Sequence, residues 1–239
     1  MRYVAPPFLA SIRWSITANE LGNFTYNISD RNLRYLLHAA ATVSGCKLST
    51  LEGYASELMS NRVVIESGLP GRRIGWYVFA RLLKPRLIVE TGVDRGLGSV
   101  VLCEALLMNA REGFDGRYIG TDINQCAGKL MRPEHDAVGH ILYGDSLESL
   151  KTLSGPIDLF INDSDHSADY EYREYQTVYP KLSSTAMIIG DNSHSSNSLM
   201  RFSEETGRKF LFFKEEPDNH WYPGAGIGIS VTSLSNNHQ

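Results

Sequence analysis

The stretch RLIVETGVDRGLGS at residues 86–99 decides the fold of this 239-residue chain. It begins with a short apolar run at 86–90, which predicts a buried strand. Glycines at positions 92, 96 and 98 follow directly, and apolar residues at helical spacing continue over 99–111. A buried strand, a glycine turn and a helix in this order are typical of one unit of a parallel α/β sheet.

The same alternation continues towards the end of the chain. Short apolar runs predict strands at 86–90, 117–123, 140–143, 157–162, 186–190, 209–214 and 225–231. Helical patterns separate the earlier strands, which indicates a parallel sheet with right-handed crossovers. The last two strands are joined only by a loop and are expected to pair antiparallel at one edge. The predicted fold is therefore α/β, a doubly wound, seven-stranded, mostly parallel sheet.

Residues 1–66 differ from the rest of the chain and contain no strand pattern. Ser29 and Asp30 are expected to cap a helix over 31–44 that ends at Gly45. A second helix is expected to begin near Ser49. We predict an N-terminal helical cap for substrate recognition at 1–66 and a main domain at 67–239.

Composition excludes several classes of protein. The chain has 27 acidic and 23 basic residues, a formal charge of −4, which argues against nucleic acid as a partner. Its three cysteines are odd in number and widely spaced, so we expect neither a disulfide framework nor a structural zinc site. The sequence contains no run of eighteen apolar residues, so we expect no membrane-spanning segment. We expect a cytoplasmic protein that binds neither nucleic acid nor membrane.

Acidic residues follow five consecutive predicted strands, where ligands of such sheets bind. They are Glu90, Asp122, Asp145, Asp163 and Asp191. A single acidic residue at a strand end can be explained by turn formation or helix capping. For Asp145, this structural interpretation and a functional one are equally favoured. The structural interpretation does not explain the whole series. Gly92 and Gly96 are four residues apart, which disfavours the phosphate-binding turn of nicotinamide enzymes.

Residues 72–231 resemble the class I methyltransferases that use S-adenosylmethionine. The similarity is greatest to the metal-dependent O-methyltransferases of the catechol, caffeoyl-CoA and macrocin-like sugar types. The segments that carry it, in order, are IVETGVDRG at 88–96, GTDIN at 120–124, GDS at 144–146, DLFINDSDHS at 158–167 and IIGDN at 188–192. The resemblance implies a Rossmann-like methyltransferase fold.

The resemblance also implies where S-adenosylmethionine binds. Glu90, Gly92 and Gly96 would shape the pocket for its amino-acid end, and Asp122 would hold the ribose. The other implied contacts are Asp145 and Ser146 at the adenine, together with Ser99 and Asp163. Relatives carry a serine where this chain has Gly98, one position before Ser99.

A divalent metal ion, Mg²⁺ or another, is implied as well. Asp163, Asp191 and Asn192 match its three protein ligands, and hard oxygen ligands of this kind suit Mg²⁺. A hydroxyl bound to the ion would become an oxyanion nucleophile. Asp165 and His166 are the leading candidates for the base, ahead of His194.

The expected function is methyl transfer to a hydroxyl of a small acceptor, a sugar or a catechol-like diol. Two alternatives stay open, a metal-independent N- or O-methyltransferase and a non-catalytic protein that binds S-adenosylmethionine. The helical cap is a candidate surface for a homo-oligomer. The pair at 72–73 is expected to be a solvated helix start, and Lys214, Glu215 and Glu216 a solvated loop.

Overall fold

Alternate residues of the central strands enter two separate hydrophobic cores on opposite faces of one sheet. A computed structural model describes residues 26–220 and 222–232. Leu87 and Val89 belong to one core, whereas Ile88 belongs to the other. Phe160 and its neighbour Ile161 divide in the same way. Burial on both faces explains why these strands are continuous apolar runs in the sequence.

The predicted seven-stranded α/β sheet is confirmed, including its antiparallel edge. The order β3-β2-β1-β4-β5-β7-β6 has β1 to β5 parallel, and β7 antiparallel to both β5 and β6. The switch point lies between β1 and β4, where the strand order reverses. The strands are β1 Leu87–Thr91, β2 Arg117–Asp122, β3 Gly139–Tyr143, β4 Ile157–Asn162, β5 Leu182–Gly190, β6 Lys209–Lys214 and β7 Gly226–Val231.

Helices cover both faces of the sheet. They are α1 Asp30–Ser44, α2 Leu48–Met59, α3 Arg62–Ser67, α4 Arg73–Leu83, α5 Leu97–Arg111, α6 Ser146–Thr152, α7 Ala168–Val178 and α8 Ser198–Glu205, with 3-10 turns at Pro133–Ala137 and Tyr179–Lys181. Helices α4 and α5 share one core with the cap helices α1 and α2, and α6, α7 and α8 contribute to the other. None of the described helices is both long and apolar enough to cross a bilayer.

The first helix of the cap begins and ends where the sequence predicts. The Ser29 hydroxyl accepts a hydrogen bond from the Asn32 N–H at 3.2 Å, and Gly45 ends the helix with φ of 68°. Residues 1–25 of the predicted cap lie outside the described residues. The boundary at 66/67 stays a prediction, and so does the homo-oligomer, which light scattering would test.

A buried arginine ties the cap to the main domain. Arg81 on α4 is 1% exposed, and its Nε donates to Glu57 on α2 at 2.7 Å. The same guanidinium donates to Asn109 on α5 and to Glu112, which follows that helix. One cation therefore joins α2, α4 and the end of α5.

We expect Arg81→Met to lower the free energy of unfolding by about 3 kcal/mol, because buried polar partners lose their donor. Urea denaturation followed by circular dichroism measures this change. The matched control is Arg31→Met, since Arg31 pairs with Glu216 but its side chain is 81% exposed. Equal losses in both variants would contradict the anchoring role.

Candidate functional site

The carboxyl ends of the parallel strands open onto one cleft of about 990 Å³. Most of the residues predicted from the sequence line it. They are Gly92, Asp122, Asp145, Ser146, Asp163, Asp165, His166, Asn192 and His194. Glu90, Gly96, Ser99 and Asp191 lie next to this wall without lining it. The structure thus brings the predicted strand-end residues to one edge of the sheet.

Gly92 allows the loops after β1 and β4 to touch. Its φ is +81°, and a Cβ atom there would lie 2.0 Å from the carbonyl oxygen of Asp163. Gly96, with φ of +95°, immediately precedes α5 and lies against Gly128, whose Cα would be 3.0 Å from an added Cβ. Both glycines are required by backbone conformation and close approach, as the cofactor pocket predicted here would need.

Glu90 lies behind the cleft wall, where it is 1% exposed. Its carboxylate accepts hydrogen bonds from the Ser99 hydroxyl at 2.9 Å and from the Tyr118 hydroxyl. Burial raises the pKa of Glu90 to about 7, although both hydrogen bonds act in the opposite direction. Ser99 is itself fully buried, so in this arrangement it orients Glu90.

Asp122 and Asp145 have structural partners at the cleft. Asp122 accepts backbone N–H groups of Asp94 at 2.8 Å and Asn124 at 2.7 Å, which shapes the loops after β1 and β2. Asp145 caps α6 by accepting the N–H of Glu148 at 3.1 Å. The capping interpretation therefore holds for Asp145, and the carboxylate still lines the cleft.

The sequence reasoning missed two large side chains of the cleft, Ile123 and Tyr170. Ile123 follows Asp122 directly and is 81% exposed, and Tyr170 on α7 donates its hydroxyl to Asp145 at 3.0 Å. An apolar residue immediately after a strand-end acid was a usable signal for Ile123. Tyr170 is one of several tyrosines on α7, and nothing in their local spacing distinguishes it.

Glu174 on α7 was also missed, and it joins the strand ends from behind. It is fully buried and accepts hydrogen bonds from Ser164 at 2.7 Å and Thr91 at 3.3 Å, as well as from Ser146 and Asn162. Burial raises its pKa to about 7. One carboxyl group thus connects the ends of β1 and β4 with the start of α6.

The three predicted metal ligands come together, but two arginines accompany them. The Asn192 amide donates to Asp163 at 3.2 Å. Arg72 forms a bidentate pair with Asp191, with Nε 2.8 Å from Oδ1, and Arg73 lies 3.7 Å from the Asp163 carboxylate. The side chain of Arg72 is only 12% exposed, so the expectation of a solvated helix start at this pair is wrong.

The expectation of a solvated loop at 214–216 is wrong for Glu215, whereas Lys214 is exposed. The side chain of Glu215 is 0% exposed. It accepts the backbone N–H of Arg72 at 3.1 Å, the N–H of Ala225 at 3.1 Å and the hydroxyl of Tyr26 at 3.0 Å. Because these partners are distant in sequence, the local charge pattern gave no sign that Glu215 is buried.

The pKa values of the two carboxyl groups of the predicted metal site shift in opposite directions. Burial, reinforced by the charge of Asp191, raises the pKa of Asp163 well above its usual range. Burial alone would also raise the pKa of Asp191, but Arg72 outweighs it and holds that pKa below its usual value. Within 26–220 and 222–232, no group of three or more His, Cys, Asp or Glu side chains is arranged to hold a metal ion.

All three candidate bases lie at the cleft and are exposed. Asp165 accepts the Ser167 N–H at 2.7 Å, and hydrogen bonds from Ser167 lower its pKa. Loss of solvation and the nearby Arg72 lower the pKa of His194. His166 lies beside Asp165, so the choice between the three stays open.

We expect the free energy of unfolding to fall as pH rises from about 4.5 to about 7. The folded state keeps protons on Glu90 and Glu174 up to about pH 7, whereas their ordinary pKa is 4.5. The folded state therefore binds more protons over this interval, so the contribution of these two groups to stability is greatest below pH 4.5 and is lost as pH rises through their folded pKa of about 7. Urea denaturation at several pH values measures the slope.

The replacement Glu174→Gln should flatten this slope, because the amide does not titrate. Glu148→Gln serves as its control, since the Glu148 side chain is 70% exposed. An unchanged slope in Glu174→Gln would show that the proton is not held at this site.

Comparisons with known proteins agree with this geometry. Residues 89–193 match the family model described as a methyltransferase domain. No curated protein sequence matches the chain. The O-methyltransferase TomG from Streptomyces achromogenes, involved in tomaymycin synthesis and solved in complex with SAM, is 17% identical, with a TM-score of 0.57 over 77% of this chain and 96% of that one. Cofactor-bound Rv0187 from MTB is 16% identical, with a TM-score of 0.52 over 83% and 95%.

The described fold is therefore that of the class I methyltransferases, and residues 89–193 are similar to a methyltransferase domain, as the resemblance of the sequence implied. The matched residues run from β1 to just beyond β5. They include the predicted site from Glu90 to Asn192. Arg72, Tyr26 and Glu215 lie outside them.

Proposed function

We propose that this chain is an S-adenosylmethionine-dependent O-methyltransferase that acts on a small hydroxylated acceptor. The observation that carries this proposal is the acid-lined cleft at the carboxyl ends of the parallel strands, inside the matched methyltransferase domain. The fold shared with TomG, an O-methyltransferase in complex with SAM, supports both the cofactor and transfer to oxygen.

The cleft offers suitable groups for each part of the cofactor. In the proposed placement, the amino-acid end lies over Gly92, the ribose hydroxyls meet Asp122, and the adenine lies near Ile123 and Tyr170. Ile123 provides an exposed apolar surface for a flat base. The acidic lining suits the positive charge of the sulfonium.

The acceptor is proposed to occupy the part of the cleft near His166, His194 and Tyr222. A hydroxyl oxygen held there attacks the sulfonium methyl group, its C–O bond forms as the C–S bond breaks, and a base removes the proton. Positioning of the two reactants supplies much of the rate, about 7–11 kcal/mol in well-oriented systems. A sugar or catechol-like diol is the proposed acceptor class.

The divalent ion implied by the resemblance does not fit this arrangement. Both carboxylate oxygens of Asp191 accept hydrogen bonds from Arg72. Asp163 is paired with Arg73 and accepts the Asn192 amide. An ion would require both arginines to release these oxygens, so we derive no step of the reaction through a metal.

We expect Asp122→Asn to weaken binding of S-adenosylhomocysteine at least tenfold, about 1.4 kcal/mol, because a carboxylate acceptor for the ribose hydroxyls is lost. Isothermal titration calorimetry measures the dissociation constant. Asp115→Asn is the matched control, since Asp115 is exposed and lies outside the cleft lining. A titration with NAD should show no binding. Binding of NAD in place of S-adenosylhomocysteine would contradict the proposal.

Turnover should be detected as release of S-adenosylhomocysteine with a panel of sugars and catechol-like diols. Replacing the base, by Asp165→Asn, His166→Ala or His194→Ala, should abolish turnover and leave cofactor binding intact. Only one of the three variants is expected to behave in this way. Cofactor binding without turnover of any acceptor would instead favour a non-catalytic binding protein.

A further inference from the structure

Arg72 lies between two buried acids at the point where the resemblance places a metal ion. Its Nε donates to Asp191 at 2.8 Å, and Nη1 lies 3.3 Å from Glu215 on the other side. Nη1 also donates to the hydroxyl of Tyr26 at 2.8 Å. Both acidic side chains are 0% exposed. The guanidinium is therefore held in place from three directions.

Arg73 provides a second positive charge beside the other predicted ligand. Its guanidinium lies 3.7 Å from the Asp163 carboxylate and 5.1 Å from the centre of the Trp76 ring. The side chain is 24% exposed and lines the cleft. Asn192 presents its amide N–H, not its oxygen, to the Asp163 carboxylate at 3.2 Å.

The acids of this group already have positively charged partners without an ion. Three acids, Asp163, Asp191 and Glu215, are paired with the two guanidinium groups of Arg72 and Arg73, and Glu215 also accepts the hydroxyl of Tyr26. A divalent cation would compete with Arg72 for the same oxygens, and both cations would then lie in a poorly solvated space. Buried ion pairs resist the loss of one partner, because the remaining charge is left unpaired.

We propose that Arg72 and Arg73 take the place of the divalent ion, so that the protein binds no such ion at Asp163 and Asp191 and transfers the methyl group without it. Arg72 is the positioning residue, which fixes Asp191. Arg73 supplies the positive charge beside the acceptor oxygen in the cleft. The part of this inference that concerns turnover rests on the proposed methyl transfer. The part that concerns ion binding does not, because ion binding is measured directly.

The test is binding of Mn²⁺ to the full chain, followed by electron paramagnetic resonance with S-adenosylhomocysteine present. We expect no stoichiometric Mn²⁺ site in the wild-type protein up to millimolar concentrations. Turnover and S-adenosylhomocysteine affinity should be unchanged by EDTA. One Mn²⁺ bound per wild-type chain and lost in Asp163→Asn would overturn the inference.

A double variant tests the cause. Arg72→Met with Arg73→Met frees both carboxylates, so it should gain a Mn²⁺ site that disappears when Asp163→Asn is added. The matched control is Arg62→Met with Arg201→Met, whose side chains are 89% and 61% exposed and which should gain no site. A folded double variant that binds no Mn²⁺ would overturn the inference.

Two further measurements separate the possible failures. Thermal melting shows whether the double variant folds. If it does not fold, Mn²⁺ binding to the wild-type protein and the effect of EDTA on its turnover decide whether the inference holds. If the wild-type protein binds no S-adenosylhomocysteine, the proposed function fails, while Mn²⁺ binding still decides the inference on the arginines.

Discussion

The close approach of β1 and β4 at the switch point is the constraint on which the cleft depends. The backbone N–H of Asp163 donates to the Thr91 carbonyl at 2.9 Å. A Cβ atom on Gly92 would lie only 2.0 Å from the carbonyl oxygen of Asp163, so a larger residue does not fit there. Glu174 joins the same strand ends through side chains. Because the two loops meet, acids that are about 70 residues apart in sequence, Glu90 and Asp163, lie at one edge of the sheet.

A second level of organisation comes from buried charges that join distant parts of the chain. Arg81 links the cap helix α2 to α4 and to the end of α5. Arg72 links the start of α4 to the residue after β5 and, through Glu215, to the residue after β6. Such groups are costly to bury alone and are stable only as complete sets. They therefore hold the outer segments in fixed positions around the cleft.

The sequence predicted the sheet well because the signals of its strands are local. A strand buried on both faces is an apolar run, and the residue after it lies at the carboxyl edge whatever its partners are. Asp122, Asp145, Asp163 and Asp191 were found in this way. Local signals also predicted both ends of α1, with Ser29 at its start and Gly45 at its end.

Buried charges escaped prediction for the opposite reason. Charged side chains are mostly exposed in proteins. A charged residue is therefore predicted to face solvent unless the sequence reveals a partner for it. The partners of Arg72 are 119 and 143 residues away, at Asp191 and Glu215. Glu174 was hidden because its four hydrogen-bond donors come from three separate segments of the chain, at Thr91, at Ser146 and at 162–164. No local pattern contains information about such contacts.

The cleft has two parts, one lined by residues within 89–193 and one lined by residues outside them. The matched residues 89–193 carry the groups proposed for the cofactor. Tyr222 lines the other part of the cleft and packs against Tyr26, with ring centres 5.6 Å apart. Tyr26 forms a bridge to Pro70 and Ile28 a bridge to Pro217, both outside the matched part.

Residues 26–29 and residues 215–218 thus form one unit. The Ser29 N–H donates to the Glu216 carbonyl at 3.0 Å, and the Asp218 N–H donates to the Asn27 carbonyl at 2.7 Å. Arg72 and Glu215 anchor this unit beside Asp191, next to the part of the cleft that the acceptor is proposed to occupy. In the proposed placement, the acceptor side of the cleft therefore draws on residues outside 89–193, whereas the groups proposed for the cofactor lie within them.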